Sequence, residues 1–298
     1  MCGIVGLHLR SRDDENSLGE WMVPMLEALS VRGPDSTGIA VFRDDLPIGH
    51  LKFSLRAPSP DFGWEPVARA LGDRFHCALE VRPQAADALV VTDTPESEFL
   101  RALTAVAPGV RIVGWGHAIE VIKDVGDAAT VCDRYDIAKA EGYQAVGHTR
   151  MATESAVTTE HSHPFAPAPD LAFAHNGSFS NHATIRRQLA EQGVTCETDN
   201  DSEVAARFVA AQMAEGKDLG DAMRMVLKVF DGFFTLLVAT ANQFAVVRDS
   251  FACKPLVVAE TPDYVAVASE YVALAALPGV GAARVFEPMP EELHVWSR

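Results

Sequence analysis

The sequence lacks the features that would assign it to several large protein classes. Its five cysteines, Cys2, Cys77, Cys132, Cys196 and Cys253, are odd in number and widely spaced. None of them forms the CxxC or CxxH spacing of a zinc site or redox dithiol. This argues against a disulfide framework or a resident metal and predicts a reduced, cytoplasmic setting. Positive charge is also scarce, with 25 Lys and Arg against 41 Asp and Glu, a formal net charge of -16. Nucleic-acid binders need the opposite balance to displace counterions from phosphates, so no nucleic-acid partner is expected. No apolar run approaches the roughly 18 residues of a membrane helix. The first residues carry no charged segment leading into an apolar one, so neither membrane insertion nor a secretory leader is expected. Internal repeats and low-complexity segments are missing as well.

What is present is a chain of 298 residues, 48% hydrophobic and 22% charged, the composition of a soluble globular protein. Its length suggests two units, or one unit carrying a large insertion. Cys2 to Arg10 reads as a buried strand, and Glu20 to Val31 as a helix with Trp21, Met25, Leu26 and Leu29 at helical spacing. Gly38 to Phe42 resumes as a strand. From about 47 to 143, short β-like runs (Cys77 to Val81, Ala88 to Thr92, Ala118 to Val125) alternate with helical ones. This stretch is expected to be an inserted α/β subdomain, leaving 1–46 and 144–298 as the main domain. Strands at Gln144 to His148 and Ala172 to His175 follow, then helices at Thr184 to Gln192, Asp201 to Glu215 and Leu219 to Val229. Four short β-branched runs between Phe234 and Ala268 suggest an antiparallel meander. Strands at both ends with helices between them predict a layered α+β body.

Several residues could carry chemistry. If Met1 is removed, Cys2 becomes the first residue. Its α-amine (reference pKa about 7.7–8.0) and thiol (about 8.5) then form a matched base and nucleophile. Cys2 could equally be a small apolar residue at the start of a buried strand. Gly3 and Gly6 beside it mark a close approach by a ligand or another part of the chain. His175-Asn176-Gly177 follows a strand and suits an amide N–H and a side-chain amide aimed at an oxyanion, although Asn-Gly is also a good turn. Arg150, ending an apolar strand, could grip a carboxylate in bidentate fashion or sit in a surface ion pair. Asp201 opens a helix and could bind an ammonium or serve as a cap.

Taken in order, these residues resemble the class II glutamine amidotransferase domain, the glutaminase of the N-terminal nucleophile (Ntn) hydrolases. The resemblance rests on CGIVG at Cys2 to Gly6, RGPDSTG at Arg32 to Gly38, and GHTRMAT at Gly147 to Thr153. It continues with His163-Pro164, HNG at His175 to Gly177, DSE at Asp201 to Glu203, RD followed by KPL between Arg248 and Leu256, and ASE at Ala268 to Glu270. It implies a four-layer α-β-β-α sandwich of two antiparallel sheets, with Cys2 as nucleophile and Asn176 with Gly177 as oxyanion hole. It also implies Arg150 on the glutamine carboxylate, Asp201 on its amino group, Thr153 in the covering loop, His163 among the substrate-binding residues, and Arg32 bracing the cysteine. Met151 stands where many members have an aromatic residue, and Glu154-Ser155 replace a common His-Gly. The insert is absent from most versions of the domain.

The implied activity is hydrolysis of L-glutamine to glutamate and ammonia through a Cys2 thioester. No cofactor is expected in this chain, and the ammonia is expected to pass to partner synthase subunits, carrying flavin and iron-sulfur centres, in a hetero-oligomer. The pattern is most similar to the glutaminase subunits of glutamate-synthase-like complexes, with N-methylglutamate synthase as an example. Two other readings are an Ntn amidohydrolase acting on another γ-glutamyl or acyl amide, and a catalytically silent scaffold. Both clamp residues, Arg150 and Asp201, disfavour the first, and retention of Cys2 disfavours the second.

Overall fold

The alternation of side chains along the first strand sets the layering of the molecule. In β1 (Gly3–Leu9), Val5, Leu7 and Leu9 join a core containing Leu18, Met22 and Leu26, whereas Ile4 joins another containing Leu237, Phe244 and Val267. A strand buried on both faces has to lie between layers. The computed structural model describes residues 2–76, 79–152 and 156–298. After β1 come α1 (Leu18–Ala28), β2 (Ser36–Phe42), β3 (Leu51–Arg56), α2 (Trp64–Phe75), β4 (Glu80–Gln84), β5 (Asp87–Thr92), α3 (Glu96–Val106) and β6 (Arg111–Gly116). Then follow β7 (Ile119–Val125), α4 (Ala128–Arg134), β8 (Gln144–Arg150), β9 (Leu171–Phe179), α5 (His182–Glu191), α6 (Asp201–Ala214) and α7 (Leu219–Val229). The chain closes with β10 (Gly232–Thr240), β11 (Gln243–Arg248), β12 (Val257–Glu260), β13 (Tyr264–Ala268), β14 (Arg284–Phe286) and β15 (His294–Ser297).

Two antiparallel sheets form the body. One has the order β14-β12-β13-β1-β8-β2-β7 and the other β15-β11-β10-β9. Ile4, Val146, Ala174, Leu237 and Phe244 fill the space between them. The outer face of the first sheet is covered by α1 and α4, and that of the second by α5, α6 and α7. This is the four-layer α-β-β-α sandwich. A Cβ at Gly6 would lie 2.6 Å from Leu237 Cδ2 and 2.7 Å from Phe244 Cζ. The close approach that this glycine permits is therefore that of the facing sheet, and any larger residue would overpack it.

Two expectations about strand partnership change. Phe234 to Ala268 is not one meander, because β10 and β11 lie in the four-stranded sheet while β12 and β13 pair in the seven-stranded one. β13 also pairs with β1, through contacts such as Val5 with Ala268. The inserted sheet, β4-β5-β3-β6, closes at residue 116. β7 pairs with β2, and α4 packs into the core under α1, so residues 119–143 belong to the sandwich rather than to a 47–143 unit. Their β-branched runs resemble those of the insert, and only the long-range pairing separates them.

The insert packs α2 and α3 on its sheet around Phe53, Leu55, Leu71 and Phe99. The other face of β3 is polar yet buried against the sandwich. Lys52 bonds to Asp45 at 2.6 Å and Glu120 at 3.0 Å, the Ser54 hydroxyl accepts from the Val121 amide at 2.9 Å, and Arg56 reaches Asp124 at 2.9 Å. Among the described residues no helix is long and apolar enough to cross a membrane.

Candidate active site

Residues from both sheets converge on a cleft of about 310 Å3 lined by Cys2, Arg150, Met151, His163, His175, Gly177 and residues 199–202. Cys2 lies one residue ahead of β1, with its neighbours in β1 held by β8 on one side and β13 on the other. The half-buried thiol rests against the backbone of Met151. The Met151 amide donates to Sγ at 3.3 Å, and Sγ lies 3.5 Å from the Met151 carbonyl oxygen. The Cys2 carbonyl accepts from Arg32 Nε and from Asn176 Nδ2, both at 3.1 Å. Arg32 is in turn paired with Glu270. The main chain of Cys2 is thus clamped while its sulfur faces the cleft.

The pairing of β9 determines which backbone groups can serve the cleft. Phe173 exchanges hydrogen bonds with Phe165, the His175 carbonyl lies 3.2 Å from His148 Nε2, and the Phe179 amide donates to Asp201 at 2.8 Å. Residues of this parity therefore point off the free edge of the sheet. Gly177 shares that parity. Its partner Phe234 directs its own amide and carbonyl to Asp249 instead. The Gly177 N–H is consequently a donor facing the cleft. At φ +145°, a Cβ there would lie 1.8 Å from the Phe233 carbonyl oxygen, so only glycine fits.

Asn176, of opposite parity, does not line the cleft. Its Nδ2 is committed to the Cys2 carbonyl and to Ser269 Oγ, each at 3.1 Å. Its Oδ1 lies 3.1 Å from His148 Nε2, which also faces the His175 carbonyl. Two acceptors around one nitrogen require Nε2 to carry the proton, and this fixes which way the Asn176 amide points. Burial pushes the His148 pKa down to about 3 and that of His175 to about 4, and holds His163 well below its ordinary value. The three imidazoles are therefore neutral, and His148 stacks on His163 with ring centroids 4.2 Å apart. Groups so weakly basic are poor proton acceptors near neutral pH.

At the end of β8, next to Met151, Arg150 is buried, and one of its Nη atoms donates to the Ala156 carbonyl at 3.1 Å. Burial lowers its pKa, opposed by Cys2, Asp35 and Asp199. Asp201 is the first residue of α6, but the cap is Asn200, whose side chain accepts from the Ser202 amide at 2.9 Å. Asp201 Oδ2 accepts from Phe179, and Oδ1 accepts from the Ser202 hydroxyl at 3.2 Å.

Of the residues singled out from the sequence, Cys2, Arg150, His163, Gly177 and Asp201 meet at this cleft. Arg32 and Asn176 instead hold Cys2 from behind, and Thr153 lies outside the described residues. His148, His175, Ser202 and Ser269 carry no role legible from the sequence, although each sits inside one of the matched motifs. Their contribution is hydrogen bonding between elements distant in the sequence, as in His175 Nδ1 with Ser202 Oγ at 2.7 Å, which a motif does not display.

Known proteins resemble this chain in sequence and in fold. A family model for the glutamine amidotransferase domain matches residues 148–276. The chain is 43% identical over its full length to a glutamine amidotransferase-like protein, GlxB, of Rhizobium meliloti, covering 98% of that protein. It is 31% identical to a putative glutamine amidotransferase of Methanothermobacter thermautotrophicus, each chain being covered in full. Among solved structures it is similar in fold to the allosteric regulatory enzyme of purine biosynthesis, with a TM-score of 0.65 at 20% identity. It covers 47% of that chain and 99% of its own length, and so corresponds to about half of that solved protein.

Proposed function

This chain belongs to the class II glutamine amidotransferases, and we propose that it hydrolyses L-glutamine through Cys2 for the benefit of a separate ammonia-consuming synthase. One observation carries the reading. The Cys2 thiol, the Gly177 amide, a buried guanidinium and an aspartate all line a single cleft. Arg150 takes the α-carboxylate of glutamine and Asp201 its α-ammonium, which places the side-chain amide at the sulfur.

After removal of Met1, the α-amine of Cys2 accepts the thiol proton. With a reference pKa of about 7.7–8.0 it is matched to this task, whereas His148 and His175, at about 3 and 4, are not. The sulfur attacks the amide carbon, and the oxyanion is met by the Gly177 N–H. Asn176 supplies the second donor by exchanging its bond to the Cys2 carbonyl for one to the oxyanion. The amine returns the proton to the departing nitrogen, ammonia leaves, and water cleaves the γ-glutamyl thioester to glutamate.

The acceptor is assigned to partner subunits of a glutamate-synthase-like complex, N-methylglutamate synthase being an example, where flavin and iron-sulfur centres would reside. The reading of the donor half is tested by ammonia release from glutamine in the wild type and in Cys2→Ala, with intact mass to follow Met1. Loss of activity in Cys2→Ala and a mass lacking Met1 are expected. Full activity in the variant, or an active enzyme that keeps Met1, would sink it. The acceptor half is tested by co-expression with neighbouring flavoprotein subunits, and failure to copurify would remove it.

A further inference from the structure

A second cavity, of about 250 Å3, lies where the insert meets the sandwich. β6 and Leu100 of α3 form one side, and residues from 159–167 and 197–207 form the other. Most of the wall is apolar, with Leu100, Ile112, Trp115 and Phe165 contributing. The volume falls just below the roughly 300–1,000 Å3 usual for small-molecule sites, which suits a compact metabolite.

Lys123 supplies a buried cation to this cavity. Its side chain is 5% exposed, Nζ donates to the carbonyls of Ser162 at 2.9 Å and Pro164 at 3.4 Å, and it lies 5.0 Å from the centre of the Phe165 ring. An ammonium has three donors and no acceptor, so these two carbonyls leave one N–H over, and among the described residues the charge meets the Phe165 ring but forms no ion pair with a carboxylate. The other cations around the cavity have anions. Arg111 pairs with Glu160 at 3.5 Å, Arg207 with Glu203 at 2.8 Å and Glu197 at 3.0 Å, and Arg56 with Asp124 at 2.9 Å. Burial pulls the pKa of Lys123 down to about 8, while Glu160, Glu203 and Glu197 pull it upward from longer range.

We propose that this cavity is an effector site for a monocarboxylate with an apolar body, the carboxylate on Lys123 and the body against Trp115 and Phe165. A phosphate ester is a poorer match, because its extra charge calls for several uncompensated donors. Both walls continue into the glutamine cleft. Ser162 and Pro164, which hold Lys123, flank His163, and Thr198 and Glu203 bracket the 199–202 stretch that lines the cleft. A ligand on Lys123 therefore bears on residues that shape glutamine binding, and this coupling rests on the glutaminase reading.

The test uses the full chain, with phenylacetate and phenethylamine as probes in titration calorimetry, and measures glutamine KM with and without saturating phenylacetate. Phenylacetate should bind saturably, and phenethylamine should not. Lys123→Met should weaken binding about ten-fold or more, as should Leu100→Trp, which fills the cavity from α3 without touching the cation; circular dichroism melts verify folding of both. Saturating phenylacetate should shift the wild-type KM about five-fold and leave that of Leu100→Trp unchanged. Absence of saturable binding, equal binding of the amine, unchanged affinity in folded Leu100→Trp, or a constant KM would each overturn the proposal. Binding that Leu100→Trp removes, in a chain that releases no ammonia from glutamine, would instead count against the glutaminase reading.

Discussion

The sandwich and the insert bury different chemistry. Beneath the cleft, the sandwich encloses His148, Thr149, His163, His175, Asn176 and Ser269. Both ring nitrogens of His163, Nε2 of His175 and Nδ1 of His148 find no hydrogen-bond partner among the described residues. Each buried unpaired polar atom costs about 1–3 kcal/mol. The core of the insert is apolar and aromatic, with Phe53 stacked on Phe99 at 4.1 Å, and its buried charges are paired at the seam with β7. The sandwich therefore gathers several of its unpaired polar atoms at the site, whereas the insert has Asp87 Oδ1 and Trp115 Nε1 beside an otherwise apolar core joined by ion pairs. Substitutions in the first should be read mainly in rate, and those in the second mainly in stability.

The largest effect is expected at the seam. Arg56→Ala leaves the buried Asp87 without its cation and removes one of the two from Asp124, which keeps Arg134, and should lower stability by about 3–5 kcal/mol in a denaturant titration. A change below about 1 kcal/mol would mean that the insert is only loosely attached. Asn176→Ala should reduce glutaminase kcat by about 10²–10³, with a smaller change in KM; an unchanged kcat would confine Asn176 to holding Cys2. Acid should weaken the sandwich first. His148 and His175 have folded pKa values depressed from 6.5 to about 3 and 4. Their contribution to stability is complete above 6.5, and falls as the unfolded chain takes up protons below it. Between pH 6.5 and 4 each should remove up to about 1.4 kcal/mol per pH unit. Melting temperatures of wild type and His148→Gln across that range would check this, the variant having the shallower slope. The smallest effect is expected from Phe99→Leu, which should cost about 1.5 kcal/mol or less in stability and leave glutamine KM unchanged. A large KM change there would make the insert part of the glutamine site.

The same division governs what could be read in the sequence. The cleft was legible because its chemistry is concentrated in short segments, so that Cys2, Arg150, Gly177 and Asp201 could be picked out before any fold was known. The commitment of Asn176 Nδ2 to Cys2 and Ser269 was not, because it depends on the parity of β9 against its free edge. Strand β3 escaped notice for a related reason. Lys52, Ser54 and Arg56 alternate with Phe53 and Leu55, and a charged face ordinarily signals solvent, yet here it is buried against β7. The meander failed where Asp249 to Leu256 carries the chain from one sheet to the other, since a local pattern of β-branched residues does not say which sheet a strand will join.

The central place of β1 also bears on how such a protein could mature. Its two neighbours, β8 and β13, begin at Gln144 and Tyr264, so in a chain synthesised from its amino end the first strand waits for nearly the last. Until β8 emerges, the segment around Cys2 has no strand to pair with and stays within reach of a processing peptidase. Once β8 is paired and Arg32 and Asn176 are in place, the Cys2 carbonyl is gripped from two sides and the opportunity closes. The slow, non-local pairing of this topology would thus set the interval in which the nucleophile can be unmasked.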